Sequence, residues 1–159
     1  MISYGHDIEA SWLMHEAAGV LEDRPLMEET ASLAIEMSRE NFCALDGDGG
    51  LFYERFPETG KLDTDKHWWV QAEAMVGYFN AFQLSGEDVF AEKALGSWDF
   101  IRNYIIDKKL GEWYWSVSRE GTPQTEKEKA GFWKCPYHNG RACMEMIRRI
   151  DHTFKNFKK

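Results

Sequence analysis

Apolar residues recur at intervals of three and four along four stretches of this chain and again near its end, so the fold must be built from helices that bury stripes against one another. Leu13, Ala17, Val20 and Leu21 share one face of a helix expected over 7–22. Pro25 suits the first turn of a second helix, in which Leu26, Thr30, Leu33 and Met37 step toward Cys43. The glycines and aspartates of "ALDGDGGLFYERFPETGKLDTD" then break the pattern, and "GLFYERF" has the composition of a short strand within a loop. The same plan returns. Trp68, Ala72, Met75, Phe79 and Phe82 form one stripe, Ser85 and Gly86 a stop, and Ala91, Ala94, Leu95, Trp98, Ile101 and Ile105 a second stripe, so both helices read as amphipathic. Another long loop, with strand-like "EWYWSV", leads to Pro136 and a last helix marked by Cys143, Ile147, Ile150 and Phe154.

The result is a repeat of about 60 to 70 residues whose helix starts recur near His6, Trp68 and His138. If each hairpin places its first helix inside and its second outside, those starts gather at one end, where helix N-termini and loops surround a cavity. An arc of about five such helices has open flanks, and its outermost inner helices expose apolar surface that marks an interface.

Composition narrows the ligand. The formal net charge of -8, with carboxylates spread along the chain, argues against a nucleic-acid partner or an anionic membrane surface. No apolar run approaches a membrane span and the N-terminus lacks the features of a signal peptide, which leads us to expect a soluble cytoplasmic protein. Cys43, Cys135 and Cys143 are odd in number and lack C-x-x-C spacing, so they read as free thiols with no zinc site. "DGDGG" at 46–50 has the look of a calcium loop, but Pro57 stands where the twelfth-position glutamate is required. The chain is rich in aromatics, with seven Trp, ten Phe and six Tyr, and several of the tryptophans gather in polar segments such as "KHWWVQ", "GEWYWS" and "GFWKCPYH". Aromatic faces among polar groups suit a carbohydrate cleft.

His6 and Glu9 lie three apart at a helix start, where the carboxylate can orient the imidazole; equally, they can be a solvated histidine and an acid complementing the helix dipole. "FWKCPYHNGRACME" places His138 and Arg141 on one face, a base beside a fixed cation, as removal of a proton next to a carbonyl requires. The alternative there is a loop packed by its aromatics, with Arg141 in a surface ion pair. Trp68, Trp69 and Glu73 follow in "DKHWWVQAEA". Neighbouring helical residues diverge by about 100 degrees, so one tryptophan is expected in the core.

"GHDIEASWLM", "WWVQAEAMVGYFNAFQLSG", "GEWYWSV" and "FWKCPYHNGRACME" resemble, in order and spacing, the C-terminal half of the cellobiose 2-epimerases, within the N-acylglucosamine 2-epimerase superfamily. The resemblance implies an all-α fold in which residues 1–159 form part of an (α/α)6 barrel domain, with short β hairpins in the long loops. It implies no cofactor and no metal. The reducing-end sugar of a β-1,4-linked disaccharide opens, one histidine removes the C2 proton to give a cis-enediolate, and the other returns it on the opposite face. His6 and His138 match that acid/base pair, and Glu9 the carboxylate supporting His6. Trp69 and Trp133, with Trp68, match aromatics that hold the sugar; Glu73 and Arg141 complete the substrate-binding set. A homo-oligomer or an N-terminal half would cover the open flanks.

Other readings compete. A catalytically incomplete half-barrel would bind sugar or merely oligomerise. An N-acylglucosamine 2-epimerase or an aldose-ketose isomerase would use the same intermediate, and a glycoside hydrolase would draw on Glu9, Asp65 and Glu73.

Overall fold

The computed structural model describes residues 1–157, with side chains described to Lys155. Helix α1 runs Tyr4–Leu21 and α2 Arg24–Glu40, followed by a tight turn at Asn41–Ala44. Asp23 caps α2 by accepting from the Leu26 amide at 3.1 Å, and Pro25 occupies the first turn, where no amide partner is needed. Helix α3 spans Trp68–Ser85 and stops at Gly86, whose φ of 73° is the left-handed geometry that glycine adopts readily. Helix α4 covers Asp88–Phe100 and widens into one loose turn at Ile101–Ile105; α5 is Tyr137–Phe157.

The inner layer is α1, α3 and α5 side by side, with α2 packed behind α1 and α3, and α4 behind α3. Gly5 and Gly77 allow α1 and α3 to approach closely: a Cβ on Gly77 would lie 2.6 Å from the Ile8 side chain, and one on Gly5 would lie 2.5 Å from Trp69. Helix α3 departs from the amphipathic expectation. Val70, Ala74 and Val76, off its anticipated stripe, are as buried as Ala72 on it, because neighbours surround this helix on every side. Each such buried valine contributes about 1.5–3 kcal/mol of transfer free energy.

The peripheral helices differ in the opposite sense. Of the anticipated α1 stripe, Val20 and Leu21 are exposed, and α1 buries Ile8, Ser11, Trp12 and Ala18 instead. Helix α2 buries Thr30, Ala34 and Ser38, leaving Leu33 exposed. On α5, Cys143, Ile147, Ile150 and Phe154 all face outward, while Asn139, Ala142 and Arg149 are buried. Cys143, Ile147 and Ile150 line an open apolar groove with Met75 and Phe79 of α3 and Ala94 and Leu95 of α4, and among the described residues nothing covers it. Among the described residues, no helix is long and apolar enough to cross a membrane.

Two small sheets organise the loops. Strands β1 (Ile2–Ser3), β2 (Glu54–Phe56) and β3 (Lys61–Asp63) form an antiparallel sheet in which β2 and β3 are a hairpin. Strand β4 (Lys66–His67) pairs with β5 (Ser116–Val117), joining two loops far apart in sequence rather than making a second hairpin. Only fragments of "GLFYERF" and "EWYWSV" are therefore strand. Lys66 is fully buried, and its Nζ bonds to Asp46 at 3.0 Å, to Asp48 at 2.7 Å and to the Arg119 carbonyl at 3.2 Å. The aspartates of the calcium-like segment thus enclose an ammonium. Gln71 on α3 secures the same loop, accepting from the Leu51 amide at 2.7 Å and donating to its carbonyl at 2.8 Å.

Candidate active site

The starts of α1, α3 and α5 converge on one cavity of about 490 Å³. Helix α1 contributes His6 and Glu9, the residues opening α3 contribute His67, Trp68 and Trp69, and α5 contributes Tyr137 and His138. Tyr53, Trp115 and Trp133 complete the wall from the loops. The Trp69 ring touches both candidate histidines, at 4.8 Å centroid distance from His6 and 5.4 Å from His138. Trp68 lies edge-on to His138 at 6.4 Å and against Trp115 at 4.8 Å. Both tryptophans are buried and both reach the cavity, so the expected division into one core and one site residue does not occur.

Behind this wall sits a charged cluster. Glu73, one turn along α3 from Trp69, is fully buried. Its Oε1 lies 2.7 Å from His138 Nδ1 and accepts from Arg141 Nη2 at 2.5 Å, while Oε2 accepts from Trp12 Nε1 at 3.0 Å. Glu9 accepts from the same Arg141 nitrogen at 2.9 Å and stands 3.9 Å from His138 Nδ1. The guanidinium lies over the rings of Tyr137 at 4.2 Å and Trp12 at 4.9 Å. Desolvation works to lower the Arg141 pKa, but the Glu73 charge and the bonds from Glu9 and Glu73 outweigh it and raise it, so the cation is fixed.

Two expected roles change. His6 is not held by Glu9: its Nδ1 pairs with Ser3 Oγ at 2.7 Å, because Arg141 on α5 draws Glu9 away. Glu73 and Arg141 do not line the cavity; both Glu73 oxygens and both terminal Arg141 nitrogens bond to protein groups, while the buried Arg141 Nε has no partner among the described residues, so the pair positions the wall instead of meeting a ligand. The donor atoms of Glu9, Glu73 and His138 lie within 4.8 Å of one another, close enough for a metal ion to bridge, but the Arg141 guanidinium already pairs with both carboxylates. The Nε2 atoms of His6 and His138 have no protein partner among the described residues.

Trp133 projects from the rim, 77% exposed, and stacks edge-on with Phe132 at 5.1 Å. Its neighbour Lys134 is buried and anchors the arm, donating to Glu112 at 3.0 Å and to the Lys129 carbonyl at 2.9 Å. Tyr53, His67, Trp115 and Trp12 were not singled out from sequence; only the crowding of aromatics in "KHWWVQ" and "GEWYWS" hinted at two of them. Burial pushes His67 down to about 4 against the opposing pull of Asp65 and Asp63, and its ring stacks on Tyr53 at 3.9 Å with 8° between planes.

The sequence model of the N-acylglucosamine 2-epimerase (GlcNAc 2-epimerase) family matches residues 1–142. A cellobiose 2-epimerase from Bacteroides fragilis is 46% identical over 147 residues, covering 92% of this chain and 38% of that protein. One from Ruminococcus albus is 49% identical over 148 residues, again 92% of this chain and 38% of the relative. A crystal structure of a sugar epimerase from a ruminal bacterium superposes with a TM-score of 0.88 at 48% identity, over 92% of this chain and 38% of its own. Solved relatives of this kind are (α/α)6 barrels, and the helical arc is part of one. The chain spans 38% of the length of these relatives.

Proposed function

This chain belongs to the N-acylglucosamine 2-epimerase family, and on that premise we propose that its cavity is part of an active site that inverts carbon 2 at the reducing end of a β-1,4-linked disaccharide such as cellobiose. The observation that carries the reading is the pair of imidazoles lining one cavity with the Trp69 ring in contact with both. After the pyranose opens, the aldehyde makes the C2 hydrogen acidic. One imidazole takes that proton, the electron pair forms the enediolate C1–C2 double bond, and the C1 oxygen takes up charge or a proton. Return of a proton to the opposite face of C2 by the second imidazole converts glucose to mannose. The chemistry moves protons only, so it calls for neither a redox cofactor nor a metal.

The two histidines differ in a way that supports different starting roles. An ionised Glu73 can only accept, so His138 Nδ1 carries the hydrogen of their 2.7 Å bond and Nε2 is left as the base. Ser3 can donate to His6 Nδ1, which leaves a hydrogen on Nε2 for delivery to substrate. For the reverse reaction the roles exchange. Arg141 serves by locking Glu9 and Glu73 in place behind the bases.

The exposed stripes of α1 and α5 fit completion of the barrel by an N-terminal half or by further copies of this chain. The exposed stripes favour a second reading, in which the chain alone binds sugar but turns over only in a completed ring. Cellobiose incubated with the protein in deuterated water tests the proposal. Deuterium at C2 together with glucosyl-mannose is expected; no exchange even when an N-terminal barrel half is supplied would overturn it, and free glucose would point to hydrolysis.

A further inference from the structure

His67 has no part in the proton transfers above. It opens α3, lines the same cavity, and among the described residues no group hydrogen-bonds either of its ring nitrogens. Its ring is nonetheless held firmly. Tyr53 covers one face at 3.9 Å, and the β4–β5 pairing and the Lys66 ion cluster fix the backbone beside it. A firmly held imidazole with no internal partner is preorganised for an external one.

Its position says which part of a ligand that is. Tyr53 stands edge-on to Trp69 at 6.2 Å, and Trp69 in turn contacts His6 and His138. Among the described residues no ring contact joins His67 directly to His6 or His138; its ring meets Tyr53, which in turn meets Trp69. A hexose whose C2 lies between the bases fills the Trp69 end of the cavity, and whatever is attached to that hexose has the Tyr53–His67 end available. We propose that His67, braced by Tyr53, recognises the second, non-reacting sugar unit of a disaccharide by hydrogen-bonding one of its hydroxyls. This rests on the epimerase reading of the cavity and adds to it the group that separates disaccharides from monosaccharides.

The chemistry fits a hydroxyl. A neutral imidazole offers one N–H donor and one acceptor nitrogen, the same pairing that an O–H presents. Burial keeps His67 neutral down to about pH 4, so it can exchange hydrogen bonds with a hydroxyl without carrying charge. Tyr53 is held as an uncharged phenol by burial and by Glu54, so the stack is an apolar brace with no charge of its own.

Binding of cellobiose and of glucose to the protein, each followed by calorimetry and tryptophan fluorescence, tests this. His67→Phe keeps the stack and removes the hydrogen bond; it should weaken cellobiose binding by about tenfold and change glucose binding by less than about twofold. His67→Gln, which retains a donor and an acceptor, should recover most of the cellobiose affinity. Tyr53→Leu, which leaves His67 intact but unbraced, should also weaken cellobiose selectively. Cellobiose affinity unchanged in His67→Phe, or an equal loss for both sugars, would overturn the inference while leaving the epimerase reading in place. An unmodified protein that binds neither sugar would remove that reading and this inference together.

Discussion

Helices α3 and α5 hold equivalent places in the repeat, each starting at the cavity and each carrying a residue that touches Trp69 or His138, yet their surroundings are opposite. From Trp68 to Tyr78 every residue of α3 is buried, whereas α5 leaves Met144, Ile147 and Phe154 more than 60% exposed. The central helix has neighbours on all sides, whereas the terminal one packs on α3 and reaches α1 through Arg141, Arg148 and Arg149, with its opposite face uncovered among the described residues. Burial in a stacked fold is therefore a property of a helix's place in the series more than of its own sequence. At the cavity end the inequality is reduced, because Glu73 reaches from α3 to hold His138 and Arg141 at the start of α5.

The contrast can be tested by substitution. Val76→Asp would bury an unpaired carboxylate in α3 and should cost more than about 4 kcal/mol, leaving little folded protein by circular dichroism. Glu73→Leu strips the partly buried guanidinium and imidazole of their shared, fully buried partner; urea unfolding should show a loss of about 2 to 3 kcal/mol, with amide exchange rising first in the opening turn of α5.

His67, at the N-cap of α3, should supply a pH dependence. Its folded-state pKa of about 4 lies below the ordinary 6.5, so the unfolded chain binds the extra proton between those values. The associated stability is complete above pH 6.5 and is lost as pH falls toward 4, by up to about 3 kcal/mol. His67→Phe should remove that portion of the profile; a profile identical to that of the unmodified protein would place its cause elsewhere. The smallest effect belongs to α5. Ile147→Ser should change monomer stability by less than about 0.5 kcal/mol, while weakening any self-association seen by light scattering. A large loss of monomer stability would show that α5 is packed in solution more like α3 than its exposure indicates.

Much of this organisation was legible in sequence. Helix period, Pro25 and Gly86 placed four hairpin helices and the terminal one to within a few residues. Which stripe is buried was not, since Val20 and Ile147 have the same periodic signature as Ile8 and Met75, and only the number of neighbours separates them. The imidazoles and tryptophans of the cavity stood out because they crowd the helix starts. Their partners did not. A three-residue spacing suggested Glu9 for His6, but Arg141, 132 residues away, takes Glu9, and Glu73 meets His138 across 65 residues. Tyr53 carries no local signal for its stack on His67, which depends on the fold of a loop.

The enclosure of Lys66 by Asp46 and Asp48 gives the cavity wall an unusual independence. A clamp built on a bound ion can be emptied by a chelator or loaded by a change in the surrounding salt, whereas a counter-ion supplied by the chain arrives with folding and cannot be withdrawn. Melting of the protein should therefore be the same in excess chelator as in millimolar calcium, so mineral supply would not regulate this wall.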